Sequence, residues 1–106
     1  MKVRKGTIVG LQGNWMSGIA ELVIDEQIGS EVIRTGVYCD NGPTVRALEN
    51  AFGNVIGNAH NIRKDGGHVG QEIYFSMDDM GLTLESFTPV AEAPPELVRI
   101  YEEAIP

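Results

Sequence analysis

Segments with a two-residue hydrophobic period lie on both sides of a single segment with a helical period, and this arrangement limits the fold more than any other feature. Alternation and β-branched residues predict five strands, at residues 2–11, 19–28, 31–39, 71–77 and 82–88. Between the third and fourth strands, apolar residues recur at helical spacing, which predicts a helix at about 43–56. Either Gly53 or Gly57 would end that helix.

The resulting order of three strands, a helix, two strands and a terminal helix resembles that of an OB-type barrel. The resemblance covers residues 1–88 and rests on topology alone. It implies an α+β fold with a small five-stranded, mostly antiparallel curled sheet or barrel. We predict one barrel-like domain over residues 1–90. Residues 91–106 then form a proline-marked linker and a C-terminal helix that packs on the domain or on a partner.

The composition excludes several classes of protein. Of the 106 residues 42% are hydrophobic, which is too many for a disordered chain, and no apolar run approaches the roughly 18 residues of a membrane span. One cysteine cannot form an internal disulfide, so a disulfide-stapled secreted scaffold is excluded. The charged first residues lack the apolar stretch of a signal peptide, and we expect a cytoplasmic protein without membrane contact.

The charge of the chain disfavours nucleic acid as a partner. The net charge is −7, and residues 71–106 carry eight acidic residues against the single cation Arg99. Nucleic-acid binding is driven mainly by Lys and Arg side chains that neutralise phosphates. The negative electrostatic field of this chain would instead repel a nucleic acid at long range. The acidic third of the chain either faces a basic partner or keeps the protein soluble.

Trp15 is the candidate binding residue that the sequence singles out. It lies with Met16 between Gly13 and Gly18, in the loop between the first two predicted strands, and it is the only tryptophan. A tryptophan at a loop tip is costly unless it is buried somewhere. Three alternatives follow: Trp15 folds back to cap the barrel, contacts a partner subunit, or contacts a ligand.

An OB-type arrangement predicts a groove beside this loop. In such barrels the first and last hairpin loops flank the ligand face, so the turn that contains Asp78 and Asp79 would border the groove. Tyr38 and Tyr74 are expected to point outward from their strands and to complete the binding surface. Asp78 and Asp79 themselves do not have the spacing of a general acid/base pair, because strand neighbours face opposite ways.

Cys39 is the weak candidate for catalysis. It precedes the predicted helix, whose N-terminus could lower the pKa of a thiol, and His60 or His68 would have to serve as its base. The alternative is a small buried residue that ends a strand. These residues, with Asp65 and the two aspartates of the turn, match no spacing known for zinc or calcium sites, so we expect no metal.

The sequence therefore favours a small non-enzymatic binding or assembly module that acts through protein–protein contact or self-association. The alternative from another class is a small-molecule enzyme that uses Cys39 with His60 or His68. A further alternative is single-stranded nucleic-acid or oligosaccharide binding on a barrel face, which the negative charge opposes for nucleic acid. No cofactor is expected.

Overall fold

The computed structural model of the protein describes residues 2–14, 16, 18–57 and 61–104. Over these ranges the chain forms one five-stranded sheet and two α-helices, which confirms the predicted α+β fold and its element order. The strands are β1 (Arg4–Asn14), β2 (Ile19–Ile28), β3 (Glu31–Cys39), β4 (Glu72–Met77) and β5 (Leu84–Pro89). The helices are α1 (Asn41–Phe52) and α2 (Pro95–Ala104), with a 3-10 turn at Val90–Glu92 before α2.

The sheet is curled so that its two end strands meet. The strand order is β3-β2-β1-β4-β5, and every neighbouring pair is antiparallel. Through these pairings Ile33 of β3 lies level with Pro89 of β5. β3 nevertheless reaches the start of β5 farther along, where Tyr38 forms a parallel bridge with Thr83, the residue just before β5. Such a stagger accompanies the strand tilt that closes a small barrel.

β1 is longer than the glycines in its sequence led us to expect. The predicted end of the first strand at residue 11 is wrong, because β1 stays paired with β2 up to the pair Asn14–Ile19. A β-bulge between Ile8 and Gly10 inserts one extra residue, so that Ile8 and Leu11 both face the core. Glycine inside a strand commonly accompanies such a bulge.

α1 starts and stops close to its predicted limits. It begins at Asn41, two residues before the predicted start, and ends at Phe52. Gly53, with φ 85°, terminates it, and its N–H donates to the Glu49 carbonyl oxygen. Of the two stop signals, Gly53 is therefore the one used. One face of α1 buries Val45 and Leu48 in the core.

The core lies between the concave side of the sheet and α1. Its largest members come from four of the strands, and Phe87 of β5 stacks on Phe52 at the end of α1, with ring centroids 6.4 Å apart. The fully buried core side chains include Ile8, Leu22, Ile24, Val37, Leu48, Val55, Ile73 and Phe75.

α2 packs on the convex side of the sheet of its own domain. The Tyr101 ring meets the Tyr74 ring edge-on at 5.3 Å, and the Lys5 ammonium lies 5.7 Å from the centre of the Tyr74 ring. The helical spacing of the sequence places Ile105 on the same face as Tyr101, but Ile105 lies outside the described residues. Neither helix of the described chain is long and apolar enough to cross a membrane.

Candidate functional site

β3 has a free edge. Along its whole length β3 pairs with β2 on one side. On the other side, the described residues give one backbone hydrogen bond, in which the Tyr38 N–H donates to the Leu82 carbonyl oxygen at 3.1 Å beside the Tyr38–Thr83 bridge. Backbone groups of a strand point to alternate sides, so those of Val32, Arg34 and Gly36 point the same way as those of Tyr38, away from β2. We call these three residues the β3 edge.

Large apolar side chains surround the β3 edge. Val32 is 60% exposed on the convex face of the sheet, and Ile33 is 44% exposed on the opposite face. Ile28, at the end of β2, is also exposed and faces Glu31 across the β2–β3 hairpin. A long, exposed, apolar edge strand is a template for pairing with another strand.

A second group of exposed apolar side chains lies where the two end strands meet. Tyr38 is 59% exposed, and Met80 and Leu82 of the β4–β5 turn are 78% and 54% exposed. We call these three residues the rim patch. The turn beneath it is well ordered by hydrogen bonds, because an Asp78 carboxylate oxygen accepts from the N–H groups of Leu82 and Thr83 at 3.1 and 3.3 Å.

These bonds give Asp78 a structural role. The N–H groups of Leu82 and Thr83 lower the pKa of the Asp78 carboxyl, because they stabilise its charged form. Gly81, with φ 71°, supplies the left-handed conformation of the turn, and its N–H donates to the Asp78 carbonyl oxygen at 2.9 Å. Asp79 is exposed beside it. Both aspartates line a cavity that opens toward Lys2 and Arg4 at the start of β1.

Acidic groups flank β3 on its convex face. Glu21 lies opposite Tyr38, and its carboxylate lies so close to Gly36 that a Cβ atom there would be 2.7 Å from it. Arg34 forms an ion pair with Asp25, to which it donates two hydrogen bonds of 2.9 and 3.2 Å. The surface around Tyr38 therefore offers little positive charge to a polyanion.

The predicted binding residues differ in their exposure to solvent. Tyr74 points to the convex side as expected, but it is only 5% exposed, because α2 covers it. Tyr38 is exposed as predicted. Met16 is exposed at 64%, whereas Trp15, and with it the groove that Trp15 was expected to border, lies outside the described residues.

Cys39 has the properties of a core residue. Its side chain is buried, and burial raises the pKa of the thiol from its ordinary 9.0 to about 11. Such a thiol is protonated at neutral pH and is a poor nucleophile. His68 is fully buried in the loop before β4, next to Gly66, and His60 lies outside the described residues. In the ranges that the structure describes, no three His, Cys, Asp or Glu side chains come together as a metal site.

Sequence reasoning missed the buried ion pair and the β3 edge. Arg4 donates two hydrogen bonds of 2.5 Å to Glu26, whose side chain is almost fully buried on the concave side of β2.

The sequence feature that could have revealed the β3 edge is the adjacent apolar pair Val32 and Ile33. Neighbours on a strand point to opposite faces, so both could be buried only in a strand that is covered on its two faces.

Comparison of this chain with protein-family models, with curated proteins and with solved structures found no match.

Proposed function

We propose that this chain is a non-enzymatic assembly module in which the β3 edge pairs, antiparallel, with the β3 edge of a second copy. The observation that carries the proposal is the exposed strand itself, with the backbone groups of Val32, Arg34 and Gly36 directed away from β2 and apolar side chains on both of its faces. An antiparallel pair of identical strands forms an isologous interface with two-fold symmetry, which closes at the dimer.

The charges on β3 favour one register for this pairing. Two-fold symmetry about Arg34 would place two arginines directly opposite one another, and like charges in that position are destabilising. A two-fold axis at Ile33 instead places the two Ile33 side chains against each other and Val32 opposite Arg34 of the second copy. Val32 and Arg34 then form a hydrogen-bonded pair through the backbone groups that the monomer leaves free.

Two observations disfavour the alternatives. The thiol that an enzyme would need as its nucleophile is buried, and its pKa is raised to about 11. The Tyr38 surface, which a nucleic acid would stack on, has Glu21 beside it in a chain of net charge −7.

Solution mass tests the proposal. Sedimentation velocity is expected to give a concentration-dependent dimer for the parent chain. Val32→Lys places a lysine opposite the second copy's Arg34, so we expect the dimer dissociation constant to rise about tenfold or more. Ile100→Lys replaces an exposed isoleucine on α2 and is the matched control, with no change expected.

Val32→Glu tests the register, because a glutamate opposite Arg34 of the second copy should keep the dimer that Val32→Lys loses. A parent chain that is monomeric at every concentration would contradict the proposal. A dimer that is equally weakened by Val32→Lys and Ile100→Lys would also contradict it. Circular dichroism of each variant verifies that the fold is intact.

A further inference from the structure

The second end strand of the sheet, β5, borders a groove of about 600 Å³ against α1. The β5 side of the groove is formed by the consecutive residues 84–87, followed by Pro89. Side chains of neighbouring strand residues point to opposite faces, so a wall made of consecutive residues is the edge of the strand rather than one of its faces. β4 pairs with the other side of β5.

The α1 side of the groove is formed mainly by small side chains. They recur at helical spacing on one face of α1, beside the face that buries Val45 and Leu48 in the core. The α1 lining residues are Pro43, Thr44, Ala47, Asn50 and Ala51. Small residues on this face leave open space between the helix and the strand edge. A groove between a strand edge and a helix is the geometry in which an extended peptide adds a strand to a sheet.

β5 contains a β-bulge at Glu85. The register of β4 and β5 shifts between Ser76 and Met77, which leaves Glu85 as the extra residue between Leu84 and Ser86. The backbone of such an extra residue is left outside the ladder with the neighbouring strand. Pro89 has no N–H donor, so strand addition would be confined to the residues before it.

The charge of the groove defines the peptide that it fits. Two of its lining residues, Glu85 and Glu92, are acidic, and none of the described lining residues is Lys or Arg. The last 36 residues of the chain, to which these two belong, carry eight acidic residues against Arg99. Like charges would repel an acidic peptide, whereas a basic one is complementary to both glutamates.

We propose that the α1–β5 groove binds an extended, basic segment of a partner protein by strand addition to β5. This site is separate from the β3 edge, and the inference does not rest on the proposed self-association. The ligand contributes main-chain hydrogen bonds to Leu84–Thr88 and cationic side chains that lie near Glu85 and Glu92. Alternate side chains of the segment enter the space beside Ala47 and Ala51.

The test is a titration of the full chain with acetyl-Lys-Val-Lys-Val-Lys-Val-Lys-amide, followed by amide shifts in NMR spectra. Shifts are expected at β5 and along the groove face of α1, with an affinity that falls as salt is added. The same peptide with N-methylated backbone amides lacks the donors for strand pairing and should not bind. The analogue with glutamate in place of lysine should not bind either, because Glu85 and Glu92 repel it.

Matched variants locate the site. Glu85→Lys is expected to weaken peptide binding about fivefold or more, whereas Glu96→Lys, the same charge change on α2 outside the groove, should leave it unchanged. Ala47→Trp fills the groove and should abolish binding in a folded chain. The proposal is overturned if the peptide fails to bind, if the N-methylated peptide binds equally, or if the shifts map to Val32–Gly36 on β3. None of these outcomes alters the solution mass by which the self-association is judged.

Discussion

The Tyr38 N–H donates to the Leu82 carbonyl oxygen at 3.1 Å, and this bond joins β3 to the β4–β5 turn that leads into the other end strand. It lies at the boundary between two parts of β3. At Tyr38, β3 is closed against the β4–β5 turn, and before Tyr38 the β3 edge has no strand partner among the described residues. The position of this one bond therefore decides how much of β3 is available for pairing with a second copy.

Asp78 is expected to maintain that bond. Asp78→Ala removes the acceptor of the Leu82 and Thr83 N–H groups, so the turn should loosen and the Tyr38 amide should exchange faster with solvent. Asp79→Ala, the same substitution at the exposed neighbour, is the control and should leave Tyr38 unchanged. Equal exchange rates at Tyr38 in the two variants would show that the Asp78 carboxylate does not support the turn.

The Arg4–Glu26 pair is expected to behave as a buried ion pair. Arg4→Met leaves the Glu26 carboxylate buried without its cation, and we expect a loss of about 3 kcal/mol in the free energy of unfolding. Arg4→Met combined with Glu26→Leu removes both charges and should recover most of that loss. Urea unfolding of the two single variants and the double variant gives the coupling energy. If the stability losses of Arg4→Met and Glu26→Leu add up to the loss of the double variant, the two side chains do not interact.

His68 is expected to make the fold sensitive to mild acid. It is fully buried, and neither ring nitrogen has a hydrogen-bond partner among the described residues. Burial lowers the pKa of His68 below the ordinary 6.5. The unfolded chain therefore binds a proton at a higher pH than the folded chain, and stability is lost as the pH falls below about 6.5.

His68→Leu tests this directly by urea unfolding at pH 7.5 and 5.5. Removal of an unpaired buried polar ring should leave stability at pH 7.5 unchanged or raise it by about 1 kcal/mol. The variant should lose less stability than the parent between the two pH values. The carboxyls of Asp25, Asp65 and Asp78 have lowered pKa values, so their contribution persists through this range. An unchanged pH dependence in the variant would contradict the account of His68.

Cys39 is expected to react slowly with alkylating reagents. A thiol pKa near 11 in place of 9.0 reduces the thiolate fraction at pH 7.5 about 100-fold, and burial slows the reaction further. Iodoacetamide labelling followed by mass spectrometry should be slow in the folded chain and rapid in urea. Labelling of the folded chain faster than that of free cysteine would support the catalytic alternative instead.

The sequence predicts those elements whose patterns are local. The limits of β2 and β3 agree with prediction, and Pro95 begins α2, because alternation, turn glycines and a helix-start proline act within a few residues. The end of β1 was predicted wrongly, since pairing with β2 over-rides the glycines of β1.

The surface could be predicted less well, because exposure depends on which elements cover one another. Tyr74 has the alternation of an outward strand residue, but the packing of α2 buries it, and no local pattern specifies where a terminal helix docks. The groove beside β5 likewise depends on the distance between α1 and the strand edge. The Arg4–Glu26 pair joins residues that are far apart in sequence, so it could be predicted only from the register in which β1 and β2 pair.

Amide hydrogen exchange along β3, at low and high protein concentration, tests the proposed self-association most directly. The amides of Ile33, Thr35 and Val37 point toward β2 and should be protected at both concentrations, which provides an internal control. The amides of Val32 and Arg34 should exchange rapidly in dilute solution and become protected as the concentration rises. If those two amides exchange at the same rate at every concentration, β3 does not pair with a second copy.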